Sequence, residues 1–542
     1  MKTRFYIITV ILVAVSALTS CNKFLDVMPD NRTEVDTDVK MQGLLVSAYP
    51  PTDYMLLTEF SSDNVDDFGP TNPNTDRFID QVFAWKDITE SDNEDTESLW
   101  GNSYMAIANA NQVIQSIEDM GGAQENGLTA EMAEALLCRA YNHFILVNVF
   151  AQNYSTKYSA TDLGITYMAA PELELNPKYK RQSVAEVYEA IDKDLQIALK
   201  WVDDKYLTVP KYHFNKKAAY AFAAMFYLFY EKWDESIKYA DLCLGSEPST
   251  VLRDWKAQAA MTQDYEVLTN HFIDSSLSCN LLLITAYSKM GLAFGPYSVY
   301  SKYSHGRYIS EQESALALAT LFGASNRDFY YSPVKVYGAT NLDKQIFWKL
   351  PYLFEYTDPV AQIGYYRTVY PAFTTDYTLL QRAEAKIIRS AAGDLDGAAK
   401  DMSIWLNNIS RMDFDLTPES IHAMMKDIPY SQWDSSTVKK PLNPDFAIEE
   451  AGSLQESMLQ FNILLKRVEG LGQGLRWFDV KRYGIEVVRR IINSKGEPES
   501  YEDELVVRDK RRAIQIPKKV VDAGYDDVGV AKYAYLQPAV DV

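Results

Sequence analysis

Tyr297, Tyr300, Tyr303 and Tyr308 crowd into one short stretch together with His305 and Arg307. Flat aromatic rings stack on the apolar C–H faces of sugars, and nearby Asp, Asn, Gln and Arg bond the hydroxyls. This mixture therefore suits a neutral, flat-faced ligand such as a glycan. The chain as a whole is rich in the same material, with 37 Tyr and 9 Trp. A second candidate is the loop FSSDNVDDFGPTNPNTDRF at 60–78, where Asp63, Asn64, Asp66, Asp67 and Phe68 stand among Gly, Pro and Asn. Its oxygens can bond hydroxyls or hold a calcium ion, although the ligand order of an EF-hand is absent. Trp85, in VFAWKD, follows closely enough to serve as a platform or simply to pack. In GLRWFDVKRYG, Arg476 and Arg482 each lie three residues from Asp479. On a helix that spacing lets one carboxylate meet two guanidinium groups while Trp477, Phe478 and Val480 face the core, a structural reading whose functional alternative is an anionic ligand held by Arg476 or Arg482.

Other chemistries find little support. The five histidines (His143, His213, His271, His305 and His422) include no HExxH, so a histidine metal centre is not expected. There is no GxSxG and no Gly-rich phosphate loop; EGLGQG at 469–474 reads as a flexible lead into the next segment. Glycosidases need two carboxylates facing across a cleft, and among 74 acidic residues no such pair stands out. A net charge of −21 opposes binding to nucleic acid, whose phosphates such a surface repels. Cys138, Cys243 and Cys279 form no CxxC, so neither a disulfide framework nor a zinc site is indicated, and no cofactor is expected.

Cys21 is a different matter. Lys2 and Arg4 precede an apolar run from Tyr6 to Ala17, long enough for a signal-peptide core and too short to span a bilayer. Residues 1–20 are thus expected to be a signal peptide. Leu18, Thr19, Ser20 and Cys21 are similar to the segment that precedes lipid attachment in bacterial lipoproteins, which makes Cys21 the expected lipid anchor, carrying acyl chains such as palmitate.

The elements that must position these residues are mostly helical. Apolar residues at Leu99, Met105, Ile107, Val113, Ile114 and Ile117 predict one buried stripe, stopped by Gly121 and Gly122. A second helix is expected at 129–150, capped by Thr129 and apolar over so wide a face that it should be central. A third, at 183–202, opens with a capping box at Ser183 and Glu186. The stretch 215–248 reads as two helices joined at Lys232 and Trp233, with small residues Ala224, Ser236 and Cys243 where they must touch, as in a tetratricopeptide repeat. Neighbouring helices at 376–391 and 394–410 extend the series. From about 250 to 375 the period weakens into loops, short strands and aromatics, an irregular insertion of the kind that carries binding residues.

Taken in order, the anchor cysteine, FLDVMPDNRTEVDT, LWGNSYMAIANANQVI, AEALLCRAYNHFILV, VAEVYEAIDKDLQIAL, AAYAFAAMFYLFYEKWDESIKYADLCL, YTLLQRAEAKI, GLRWFDVKRYG and AIQIPKKV resemble the SusD/RagB family of nutrient-binding outer-membrane lipoproteins. The resemblance implies a mainly α fold with a tetratricopeptide-like helical-pair body, about 21–250 and 376–542, and a loop-rich aromatic insertion at about 250–375, all in one composite domain. It implies a noncatalytic, lipid-anchored protein on the outside of the outer membrane. Such a protein captures oligosaccharides and delivers them to a SusC-like TonB-dependent transporter, which its helical face would meet. Peptide capture, as in the RagB branch, glycoside hydrolysis and a protein-binding scaffold are the competing expectations. The tail AKYAYLQPAVDV departs from the usual family ending.

Overall fold

A computed structural model describes residues 35 and 37–525, apart from 173–178, 296–299, 332–333, 336–343 and 347. The expected signal peptide, Cys21, Tyr297 and the tail from 531 onward lie outside the described residues.

The fold is mainly α, about half of it helical. After α1 (Asp38–Leu45), α2 (Met55–Ser61), a two-residue strand β1 (Asp66–Asp67) and α3 (Arg77–Phe83), three long helices follow: α4 (Thr96–Asp119), α5 (Thr129–Phe150) and α6 (Val184–Trp201). Asp95 caps α4, its side chain accepting from Ser98 N, and the helix stops at Gly121 and Gly122 as expected. Within it Leu99, Ile107, Val113 and Ile117 are buried, but Met105 is 63% exposed; Ala106 and Ala110 line the core side instead. Helix α5 spans the expected residues and is buried almost all the way round. Thr129 is not its cap: Leu128 holds that position without a side-chain bond, because the helix enters directly from a tight Gly127 turn. The capping box of α6 is present, Ser183 N donating to Glu186 at 2.7 Å.

The next pair, α7 (Lys216–Phe229) and α8 (Trp233–Leu244), has the geometry of a tetratricopeptide unit. Ser236 Oγ donates to the Ala224 carbonyl at 2.9 Å, so the small residues do lie where the helices touch. After the strands β2 (Asn280–Tyr287) and β3 (Tyr303–Ser304), α9 (Arg307–Glu313), β4 (Leu353–Asp358) and β5 (Ile363–Thr374), the helical stack resumes with α10 (Thr375–Arg389) and α11 (Asp394–Ile409). Helix α10 packs on α8, and Arg382 ties the layers together by gripping Asp401 of α11 through two bonds and Asp241 of α8 through a third.

The chain closes with α12 (Leu454–Gly470), α13 (Arg476–Arg482) and the hairpin β6 (Val487–Ile492) and β7 (Pro498–Leu505). Two sheets matter for position. One is the antiparallel set β2-β5-β4; the other, in the order β3-β1-β6-β7, joins segments from the beginning, middle and end of the chain. Cys138, Cys243 and Cys279 are buried free thiols. No described helix is long and apolar enough to cross a membrane.

Candidate functional site

The two loops that carry the candidate ligand residues meet as neighbouring strands. Asp66 pairs with Ser304 and Asp67 with Tyr303 in antiparallel register, and on the other side Asp67 bridges Ile491 of β6. Residues far apart in sequence thus share one small sheet.

Within it most of the candidate side chains are spent on holding the fold. The Asp63 carboxylate receives Arg476 Nε at 2.8 Å and a second Arg476 nitrogen at 2.9 Å, with Arg467 at 3.5 Å. Burial opposes its charge, but the two guanidiniums prevail and hold the carboxyl well below the usual range. Asp66 is bound by Arg490 Nε at 2.9 Å, and Glu313 is ringed by Arg467, Arg490 and Lys440 at 3.0, 2.6 and 2.7 Å. Asp67 accepts from Gly69 N at 2.7 Å, and its burial raises its pKa. The Phe68 ring lies against Gly306, where a Cβ would come within 2.5 Å of it, which is why glycine stands there. Among the described residues no group of three or more His, Cys, Asp or Glu is arranged to hold a metal ion.

Tyr303 is buried, stacked on Phe83 with ring centroids 4.0 Å apart and its hydroxyl donating to Asp80 at 2.6 Å. His305 is buried: Nδ1 donates to the Asn64 carbonyl and Nε2 accepts from Ser314 Oγ, each at 2.9 Å. Desolvation pushes its pKa down to about 3, so the ring is neutral. Trp85 adopts a left-handed φ of 49° just after α3. Its Nε1 donates to the Ser61 carbonyl at 2.9 Å, and the Arg489 guanidinium lies over the ring at 3.8 Å. One flat face is therefore covered. Tyr300, 52% exposed, and Arg307, near Glu311, stay at the surface, and Tyr308 is half-buried.

Tyr308 leads to residues that sequence reasoning missed. Its hydroxyl accepts from Ser436 N at 3.0 Å and donates to the Asp434 carbonyl at 3.3 Å, pinning the irregular loop 431–436 that presents Trp433. Trp433 lies 5.4 Å, centroid to centroid and tilted by 54°, from Tyr501 of β7, which is 45% exposed. The two rings stand over a cavity of about 220 Å³ lined also by Gln432, Glu486, Val488 and Glu504, with Asp63, Asp66, Lys440 and Arg490 beneath. Three candidates from the sequence, Asp63, Asp66 and Tyr308, therefore help to build this site, the aspartates as its charged floor and Tyr308 as its prop. The aromatic richness of the chain was a general signal for such a site; no local pattern marked Trp433 or Tyr501.

The Arg476–Asp479–Arg482 cluster is structural, with different partners from those its spacing suggested. Arg476 turns to Asp63, Asp479 meets Lys466 at 2.6 Å and Arg482 only at 3.8 Å, and Arg482 prefers Glu384 at 2.6 Å. The preceding EGLGQG is not a flexible lead. Gly472 N and Gly474 N donate to the buried Glu59 carboxylate at 3.0 and 2.7 Å, so the turn is a rigid cradle for that charge.

The chain and its fold are similar to known proteins. A family model described as SusD-like, "starch-binding associating with outer membrane", matches residues 23–228. The SusD-like protein P2 of Formosa agariphila is 28% identical over 164 residues, a match that spans 30% of this chain and 30% of that protein. Among solved structures, a SusD superfamily protein from Bacteroides thetaiotaomicron superposes with a TM-score of 0.61 at 15% identity, covering 91% of this chain and 98% of that one. A putative sugar-binding protein from Bacteroides vulgatus gives 0.60 at 16% identity, covering 91% and 100%. Residues 23–228 of this chain are thus similar to the SusD-like family model, and its fold is the one shared by these solved SusD superfamily structures over nine-tenths of its length.

Proposed function

We propose that the protein captures carbohydrate at the outer membrane, holding a sugar ring against Trp433 and Tyr501 while Gln432, Glu486 and Glu504 bond its hydroxyls. The observation that carries this reading is the tilted aromatic pair, Tyr501 exposed and Trp433 half-buried, lining a cavity with charged and polar walls. Two apolar faces set at an angle fit the two faces of successive sugar units, and the polar wall below fixes orientation. Tyr300 and Arg307, exposed near the same sheet, are the proposed outer contacts along a longer chain. The family description and the sugar-binding relative from Bacteroides vulgatus support the ligand class.

The reading is one of binding without turnover. Asp63 is held ionised by Arg467 and Arg476 and has no proton to give a leaving group, and Asp66, whose pKa burial raises, is bound by Arg490 at 2.9 Å. Acylation at Cys21, display on the cell exterior, delivery to a SusC-like TonB-dependent transporter and one composite domain from 21 to 542 complete the proposal. Each rests on the resemblance in sequence.

Calorimetric titration of the purified protein with panels of oligosaccharides and of peptides tests it. Trp433→Ala and Tyr501→Ala should each cost about 1–3 kcal/mol of sugar affinity, and no reducing ends should be released on prolonged incubation. Peptide binding without sugar binding would assign the site to the other branch of the family, and released reducing ends would make it an enzyme.

A further inference from the structure

The cavity is unequal in its charges, and that inequality speaks to which sugar it takes; the inference rests on the carbohydrate reading above. A β-bulge creates it. Val488 pairs with Glu504 and Arg490 with Tyr501, so three steps along β7 answer two along β6. In a regular strand, residues three apart face opposite sides of the sheet; the bulge brings Tyr501 and Glu504 to line the same cavity. Opposite them the β6 strand is preceded by Glu486, which also lines it.

The other charges of the cavity are already matched. Asp63 is taken by Arg476 and Arg467, Asp66 by Arg490, and Lys440 by Glu313. Glu486 and Glu504 form no ion pair among the described residues, and both are exposed at the mouth beside the aromatic pair. A sugar ring seated on Trp433 and Tyr501 takes water away from these two carboxylates. Hydroxyl groups replace that water only in part, whereas an ammonium group replaces it and neutralises charge as well. The negative faces of the indole and phenol rings favour the same partner. A uronate or sulfate would face two carboxylates outside any ion pair among the described residues, with only the longer-range field of Arg512 acting on Glu486, and be repelled. At about 220 Å³ the cavity is smaller than sites that enclose whole drug-sized ligands, so it admits one unit of a chain.

We propose that the site is built for a hexosamine unit with a free, protonated amine, the ammonium lying between Glu486 and Glu504 and the ring on Trp433 and Tyr501. Glycans rich in deacetylated hexosamine are then the preferred cargo, and acidic glycans are rejected.

The test is calorimetric titration, at low salt, with tetramers of glucosamine, of N-acetylglucosamine and of glucose, together with a lysine-rich peptide. The glucosamine tetramer should bind roughly tenfold more tightly than its acetylated counterpart. In a Glu486→Gln, Glu504→Gln double variant, which changes only exposed side chains, the ratio of the two affinities should fall to about one. Equal affinity for the amine and acetylated tetramers in the unaltered protein would overturn the proposal while leaving a carbohydrate site in place. So would tighter binding of the lysine-rich peptide through the same two glutamates. If none of the sugars bound, the carbohydrate reading itself would fall with it.

Discussion

Asp63 shows how one side chain can look like a ligand group and work as a beam. In its loop it stands with Asn64, Asp66 and Asp67 as a set of oxygens, yet its two carboxylate oxygens are occupied by Arg476 and approached by Arg467, all three groups buried. A buried ion pair gains little over a well-packed apolar substitute, but removing one member leaves a charge stranded away from water. Asp63→Asn should therefore destabilise the protein by about 3–5 kcal/mol, read as a lower midpoint of urea unfolding. A residue whose business is ligand contact would instead lose sugar affinity with the midpoint unchanged. Tyr308 is the complementary case. It is half-buried and reaches the site through the backbone of 434–436, so Tyr308→Phe should weaken sugar binding by loosening Trp433 while leaving the stack of helices intact.

At the scale of elements, the helices were legible because the signals that make them are local. The capping box at Ser183, the Gly121–Gly122 stop and the small residues between α7 and α8 are all read within a few residues of where they act. Ser183→Ala should cost about 1 kcal/mol of stability, seen as a small fall in melting temperature, because the Glu186 N–H loses its partner. The exceptions are equally physical. Met105 keeps the helical period but falls where no neighbouring element covers it, and Thr129 has the chemistry of a cap one residue too far into the helix. The candidate site was legible only in fragments. Its sheet joins β1 to β3 across more than two hundred residues, Trp433 sits in a loop without period, and the bulge that turns Tyr501 into the cavity depends on pairing between strands. The turn at 472–474 carries a prediction of the same kind. Gly474 has a φ of 72°, and a Cβ there would lie 2.3 Å from Thr58 Oγ1 and 2.8 Å from the Met55 Cα. Gly474→Ala should cost more than about 1 kcal/mol, measured by chemical unfolding, and the loss should be reduced little by trimming Thr58 to Ala, since the Met55 backbone still blocks the space.

Across the whole molecule the buried charges form two nets that tie distant segments together. Asp63 and Asn64 near the start, Glu313 in the middle and Arg467, Arg476 and Arg490 near the end are linked through direct contacts, and Glu384 of α10 joins α12 and α13 by holding Lys466, Arg482 and the Tyr483 hydroxyl at 2.6, 2.6 and 2.7 Å. Burial alone would make Glu384 harder to ionise, but Arg482 and Lys466 prevail and lower its pKa from 4.5 to about 2. Asp63 is shifted in the same direction. A carboxyl with a lower pKa folded than unfolded favours the folded state once it is ionised in both. That contribution is complete above pH 4.5 for Glu384 and drains away as the pH falls toward 2, where the unfolded chain has already taken up its proton. Because Glu384 in α10 holds Lys466 of α12 and Arg482 of α13, the loss should be felt in all three helices together. Acid titration followed by tryptophan fluorescence and by circular dichroism should therefore show a single transition between these limits, with the two signals coincident. Glu384→Gln keeps the shape of the side chain and removes its charge, so at neutral pH it should be less stable than the parent, and its stability should fall less steeply than the parent's as the pH drops below 4.5. A variant that matched the parent at every pH, or two signals that changed at separate pH values, would show that the network is a set of independent pairs and that the segments it crosses stand without one another.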